Sequence, residues 1–122
     1  KSPRVVMAGA HVDIEDYRMF ITDFSSFVFD FAYLCRPVLY FVPDYGQFKA
    51  GMNHYRELDL PFEKAFGPLV LDPESAVEEI KKAAGNGFEP EEIYAERMRK
   101  FYYPLENCAE ALYNEVSSWN FL

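Results

Sequence analysis

A chain of 122 residues, half of them apolar and 18% aromatic, has enough material for one hydrophobic core and too much of it to stay disordered. Its formal net charge of −8 argues against nonspecific binding of nucleic acid, which needs a Lys/Arg-rich surface. The same charge leaves room for a small phosphorylated ligand held by backbone N–H groups.

Cys35 and Cys108 show no CxxC or Cys/His spacing. They predict reduced, structural thiols of a cytoplasmic protein and no zinc site. No apolar run approaches the about 18 residues of a membrane span, and no signal peptide is visible. The first residue is Lys1 rather than Met, so the expectation is a piece of a longer protein.

In chain order, residues 4–8 (RVVMA) read as a short buried strand ended by Gly9, and Asp13 to Tyr17 as a helical turn capped by Asp13. Residues 19–22 (MFIT) are a second short apolar run. Over residues 25–34, Phe27, Val28, Phe31, Leu34 and Cys35 share one face at helical spacing. Arg36-Pro37 ends that helix, because a residue before proline avoids the α region. Residues 38–42 (VLYFV) form the clearest strand, stopped by Pro43-Asp44. This alternation of strands and helical segments is the grammar of a parallel α/β sheet with crossover connections.

Residues 44–66 predict a long surface loop with a short helical turn, its aromatics Tyr45, Phe48, Tyr55, Phe62 and Phe66 packing beneath it. Residues 69–71 (LVL) predict a last short strand. Asp72-Pro73-Glu74 starts a helix with a cap, a proline at the first position and an acid in the first turn, running to about Ala84. Pro90 opens a further helix, with Glu91, Glu92 and Glu96 toward its N-terminus and Arg97, Arg99 and Lys100 toward its C-terminus, as the macrodipole favours. Pro104 should end it. A final helix over residues 106–118 places Ala109, Leu112, Tyr113, Val116 and Trp119 on one face, which predicts packing against the domain.

The segment most open to chemistry is FITDFSSFVFDFAYL, residues 20–34. Thr22, Asp23, Ser25 and Ser26 interrupt otherwise apolar sequence at a strand-to-helix turn. In an open parallel sheet, ligands bind beyond the carboxyl ends of the strands, where this turn lies. A phosphate there would meet backbone N–H groups at a helix N-terminus plus the hydroxyls of Ser25 and Ser26. Asp30 follows Ser26 by four residues and so shares its helix face, placed to accept hydrogen bonds from a ribose. Asp and Ser are also favoured N-caps, so Asp23 or Ser25 could equally serve the helix alone. No GxGxxG, P-loop lysine or GxSxG is present. Asp23 and Asp44 stand alone at their strand ends, which gives carboxylate metal binding little basis.

The run ITDFSSFVFDFAYLCRPVLYFVPD resembles the C-terminal domain of the CDP-glycerol glycerophosphotransferase family. The resemblance rests on Ile21-Thr22-Asp23-Phe24-Ser25-Ser26, then Asp30, Pro37, Tyr40-Phe41 and Asp44, in that order. Asp13 to Tyr17, Gln47-Phe48 and Gly67-Pro68 extend it to residues 13–70, and it is weaker over residues 89–116. It implies the C-terminal, nucleotide-donor half of a GT-B fold: a Rossmann-like parallel sheet with flanking helices. The whole enzyme would transfer glycerol phosphate or ribitol phosphate from CDP-glycerol or CDP-ribitol to a lipid-linked polyol-phosphate acceptor, at the inner face of the membrane.

By the same resemblance Ser25 and Ser26 contact the donor pyrophosphate, Asp30 faces the ribose, and Thr22 and Asp23 shape the turn. No cofactor is implied, and the partner domain is the N-terminal GT-B half. The family's reaction depends on histidines expected upstream, one in a His-Pro pair. This sequence has no His-Pro and only His11 and His54, so no catalytic residue is assigned within it. Two other readings stand beside this one: a nucleotide-sugar glycosyltransferase of the GT-B class, and a noncatalytic α/β module that uses the aromatics of residues 45–66 as a contact surface.

Overall fold

The computed structural model describes residues 4–51, 58, 60–102 and 107–119. Three strands pair in parallel, in the order β1 (Phe20–Thr22), β2 (Val38–Phe41) and β3 (Leu69–Val70). Phe20 stands opposite Val38 and Thr22 opposite Tyr40, while Tyr40 on its other side meets Leu69. The central strand β2 is covered on both faces, as its unbroken apolar run requires. Val38, Tyr40 and Val42 point into one cluster with Val28, Phe31, Phe62, Phe66 and Met98. Leu39 points the other way, toward Val70 and Ala76.

Helix α1 spans Val28–Tyr33, shorter at its start than the expected 25–34. Residues 25–27 are a turn instead, with Val28 N–H donating to Ser25 C=O at 3.3 Å and Phe29 N–H to Ser26 C=O at 3.1 Å. The helix closes with Cys35 in the left-handed region, φ 52°, and with Arg36 N–H reaching back to Phe31 C=O at 3.0 Å. Pro37 then turns the chain into β2.

After β2, α2 (Tyr45–Lys49) is the short helical turn expected in the long loop, and a 3-10 turn follows at Phe62–Lys64. Phe62 and Phe66 are buried, and Tyr45 and Phe48 are half-buried, so these aromatics pack beneath the loop. Tyr55 lies outside the described residues. Gly67 is the point of closest approach to β2: a Cβ there would lie 1.8 Å from the Val38 carbonyl oxygen. Only glycine fits, and the next residue, Pro68, accepts the Tyr40 N–H at 2.9 Å and sets the register of β3.

Helix α3 (Pro73–Gly85) covers one face of the sheet, and α4 (Glu92–Phe101) packs beside α1 on the other. Arg97 pins α4 by donating to Ala65 C=O at 2.8 Å, and the Tyr102 hydroxyl donates to Phe29 C=O. Pro104, expected to end α4, lies outside the described residues.

Three expectations change. The strand over residues 4–8 does not form: Val5, Val6 and Met7 are 75%, 83% and 93% exposed. Apolar, β-branched composition permits a strand, but pairing makes one, and among the described residues nothing pairs with the outer edge of β1. Helix α5 (Cys108–Ser118) forms, capped by Asn107, which accepts the Glu110 N–H at 3.2 Å. It buries no residue, however, and Leu112, Tyr113 and Trp119 are exposed, so its apolar face does not pack into the domain core. An apolar stripe defines a face without supplying what lies against it. Neither Cys35 nor Cys108 is in a disulfide among the described residues, but both are exposed rather than core residues.

Candidate functional site

The sheet delivers three strand-to-helix turns to its carboxyl edge, and the turn between β1 and α1 opens onto a cavity. That cavity has a volume of about 210 Å³ and is lined by Asp23, Phe24, Ser25, Ser26, Val28, Phe29, Tyr40, Leu58, Leu60 and Phe62. Its polar groups gather at the turn and its walls are aromatic and aliphatic. Phe24 stacks on Phe48 with ring centroids 4.5 Å apart, and Phe62 meets Tyr40 edge to face at 5.2 Å. These ring contacts fix the walls on β2, α2 and the 3-10 turn.

The turn leaves donors free. The Ser25 Oγ accepts the Phe27 N–H at 3.2 Å, a local side-chain turn that uses one lone pair and leaves its O–H able to donate. No side chain caps α1. Among the described residues the N–H groups of Ser25 and Ser26 have no acceptor. Ser25 and Ser26, which carry these two N–H groups and two hydroxyls, both line the cavity, and among the described residues its lining holds no lysine or arginine. This is a donor set suited to phosphate oxygens. With α1 only six residues long, its dipole adds little at this turn.

Of the residues singled out from sequence, Asp23, Ser25 and Ser26 line the cavity. Thr22 is buried at the end of β1, outside the lining. Asp30 is exposed on α1 and is also outside the lining. Its charge is felt at Tyr102, whose phenol is pushed up first by burial and then by the Asp30 carboxylate. His11 sits in the exposed N-terminal segment, and His54 lies outside the described residues.

One polar lining residue, Tyr40, was named in the sequence motif without being given a role in the site. Tyr40 is only 5% exposed, and its hydroxyl has no hydrogen-bond partner among the described residues. Burial pushes its pKa up to about 12; the nearby Phe66 backbone amide pulls the other way without forming a well-aligned hydrogen bond. The signal was legible in VLYFV, where a single hydroxyl stands in an otherwise apolar central strand.

A second cavity of about 190 Å³ lies at the opposite, amino-terminal edge of the strands, between Met19, Pro37, Pro68 and Tyr94. The Lys82–Glu91 ion pair, 2.6 Å, crosses it. It meets none of the turn residues. Among the described residues no group of three or more His, Cys, Asp or Glu converges to hold a metal ion, and no helix is long and apolar enough to cross a membrane.

Residues 2–118 match the family described as CDP-Glycerol:Poly(glycerophosphate) glycerophosphotransferase. The chain is 37% identical over 100 residues to the teichoic acid poly(glycerol phosphate) polymerase of Bacillus subtilis (strain 168), covering 78% of this chain and 13% of that protein. It is 44% identical over 63 residues to the protein of the same name from Bacillus spizizenii, covering 51% of this chain and 15% of the relative. It is 31% identical over 98 residues to the minor teichoic acid biosynthesis protein GgaB of Bacillus subtilis (strain 168), covering 79% of this chain and 10% of the relative. The chain thus spans between 10% and 15% of the length of these relatives. No solved structure matches it. On the family match and these identities together, the chain belongs to the CDP-glycerol:poly(glycerophosphate) glycerophosphotransferase family.

Proposed function

We propose that this chain is the donor-nucleotide part of a GT-B-type transferase that moves glycerol phosphate, or ribitol phosphate, from a CDP-polyol to a growing teichoic-acid-like or capsular polymer. The observation that carries this reading is that Ser25 and Ser26, whose N–H groups have no acceptor among the described residues, line a cavity at the carboxyl edge of a parallel sheet. Ser25 and Ser26 would hold the donor pyrophosphate. Thr22 and Asp23 would shape the turn, and Asp30 would face ribose hydroxyls from the exposed side of α1.

In the reaction an acceptor hydroxyl attacks the β-phosphorus of the CDP-polyol. The new P–O bond forms, the bond to the bridging oxygen breaks, and CMP leaves with the negative charge. Fixed N–H donors favour the charge that develops on the leaving phosphate without reorganising. The proton of the acceptor hydroxyl goes to a base outside this chain. On this reading the acceptor is lipid-linked, the enzyme works at the inner face of the membrane, and the 122-residue chain alone turns over no CDP-glycerol.

A thermal-shift panel tests the reading. CDP-glycerol and CDP should raise the melting temperature of the chain, and UDP- and GDP-sugars should not. Stabilisation by UDP- or GDP-sugars alone would instead select a nucleotide-sugar glycosyltransferase. No shift with any nucleotide would favour a noncatalytic module.

A further inference from the structure

Among the described residues, Tyr40 is the one hydroxyl-bearing lining residue away from the turn, where Asp23, Ser25 and Ser26 stand. A buried O–H without an acceptor costs about 1–3 kcal/mol relative to a satisfied one. Phenylalanine would fill the same space between Phe62 and the sheet without that cost. The hydroxyl is therefore unexplained by packing. It stands on β2 opposite Thr22, at the carboxyl edge where the sheet meets its ligand. The walls around it, Phe24, Val28, Phe29, Leu60 and Phe62, are apolar and suit a flat ring.

We infer that Tyr40 is a specificity-determining residue for the nucleotide base: a pyrimidine ring enters this cavity, and the Tyr40 O–H donates to its C2 carbonyl. The inference rests on the donor-binding reading above and extends it from the phosphates to the base. With the phosphates at Ser25 and Ser26, the ribose crosses the rim and its hydroxyls turn outward toward Asp30. The hydroxyl is buried and the Phe62 ring packs edge to face on Tyr40, so seating the base requires the Phe62 side chain to move. A base without a ring carbonyl, such as adenine, leaves the phenol proton unmatched, and a site built around a buried donor rejects such a ligand.

The test is isothermal titration of the chain and its Tyr40→Phe variant with CDP, ADP and inorganic pyrophosphate. The expected result has four parts. The unaltered chain prefers CDP to ADP. Tyr40→Phe weakens CDP about tenfold, the value of one lost hydrogen bond near 1.4 kcal/mol. It leaves pyrophosphate binding unchanged, and it raises the melting temperature in the absence of ligand. Equal CDP affinity in both proteins overturns the inference, as does an equal loss for pyrophosphate, which would mark a general disturbance of the turn. Failure of the unaltered chain to bind CDP overturns the donor reading itself and is distinct from either result.

Discussion

Two of the strand-to-helix turns at the carboxyl edge of the sheet are built from the same residue types, and they use them in opposite ways. Between β3 and α3, Asp72 accepts the Ser75 N–H at 2.8 Å and the Ser75 hydroxyl at 2.7 Å, and Pro73 has no N–H to satisfy. The Asp72 carboxylate and both Ser75 donors at that turn are used within the helix. Between β1 and α1, Asp23 caps nothing, Ser25 turns back on Phe27, and the N–H groups of Ser25 and Ser26 have no acceptor among the described residues. The first turn is capped by its own side chain. The second has a cavity beside it and donors to spare. Aspartate and serine before a helix therefore do not distinguish a cap from an anion site; the hydrogen bonds do.

The largest expected effect comes from loosening what holds both turns in place. Gly67→Ala forces a backbone shift against the Val38 carbonyl and displaces β3. It should cost about 3 kcal/mol, read as a lowered urea midpoint. An unchanged midpoint would mean that β3, and the capped turn after it, are not tied to β2 as described.

The next effect separates the turns by function. Ser25→Ala/Ser26→Ala should weaken CDP binding roughly tenfold, about 1.4 kcal/mol, while moving the melting temperature little. The same pair of substitutions in the full-length enzyme should lower donor turnover. Normal turnover there would favour the noncatalytic reading.

Smaller again is the contrast between the two aspartates. Asp72→Ala should lower the melting temperature and leave CDP affinity alone, because it removes a cap far from the cavity. Asp23→Ala should leave the melting temperature nearly unchanged, since its carboxylate caps no helix. A reversal of the two would remove the distinction between the turns.

The smallest effect is on pH dependence. The Ser75 backbone N–H, then the Ser75 hydroxyl, hold the Asp72 carboxyl below its usual range. A depressed folded-state pKa contributes stability that is present above the unfolded value and is lost as pH falls through the folded one. Asp72→Asn should therefore flatten the acid limb of the stability curve. At the other end, Tyr40 ionises in the unfolded chain near 10 and in the folded chain at about 12. Stability should be level below pH 10 and decline as pH rises through that window, and Tyr40→Phe should remove that decline.

How much of this was legible in the sequence depended on whether the signal was local. Helix α3 was read almost to the residue because Asp72, Pro73 and Gly85-Asn86 are its own start and stop signals. Strand β2 was equally plain, since burial on both faces demands an unbroken apolar run. Residues 4–8 misled because strand formation needs a partner that local sequence does not specify. The face of α5 was visible and its exposure was not, for the same reason.

In the site, Thr22, Asp23, Ser25 and Ser26 stood out as polar residues in an apolar run, but whether they capped α1 was a matter of hydrogen bonds. Helical spacing placed Asp30 on the Ser26 face, yet the helix starts three residues later than expected and Asp30 lies outside the cavity lining. Tyr40 was given no role in the site because a tyrosine in a strand is ordinarily a packing residue.

The central claim is that the β1–α1 turn holds the phosphates of a cytidine nucleotide. It is tested most directly by titrating the isotopically labelled chain with CDP and following backbone amides by NMR. Saturable shifts at Ser25, Ser26 and Phe27, with the amides of Ser75 and Ala76 in the capped turn unmoved, are the result expected. Unmoved amides at Ser25 to Phe27 at millimolar CDP would contradict it.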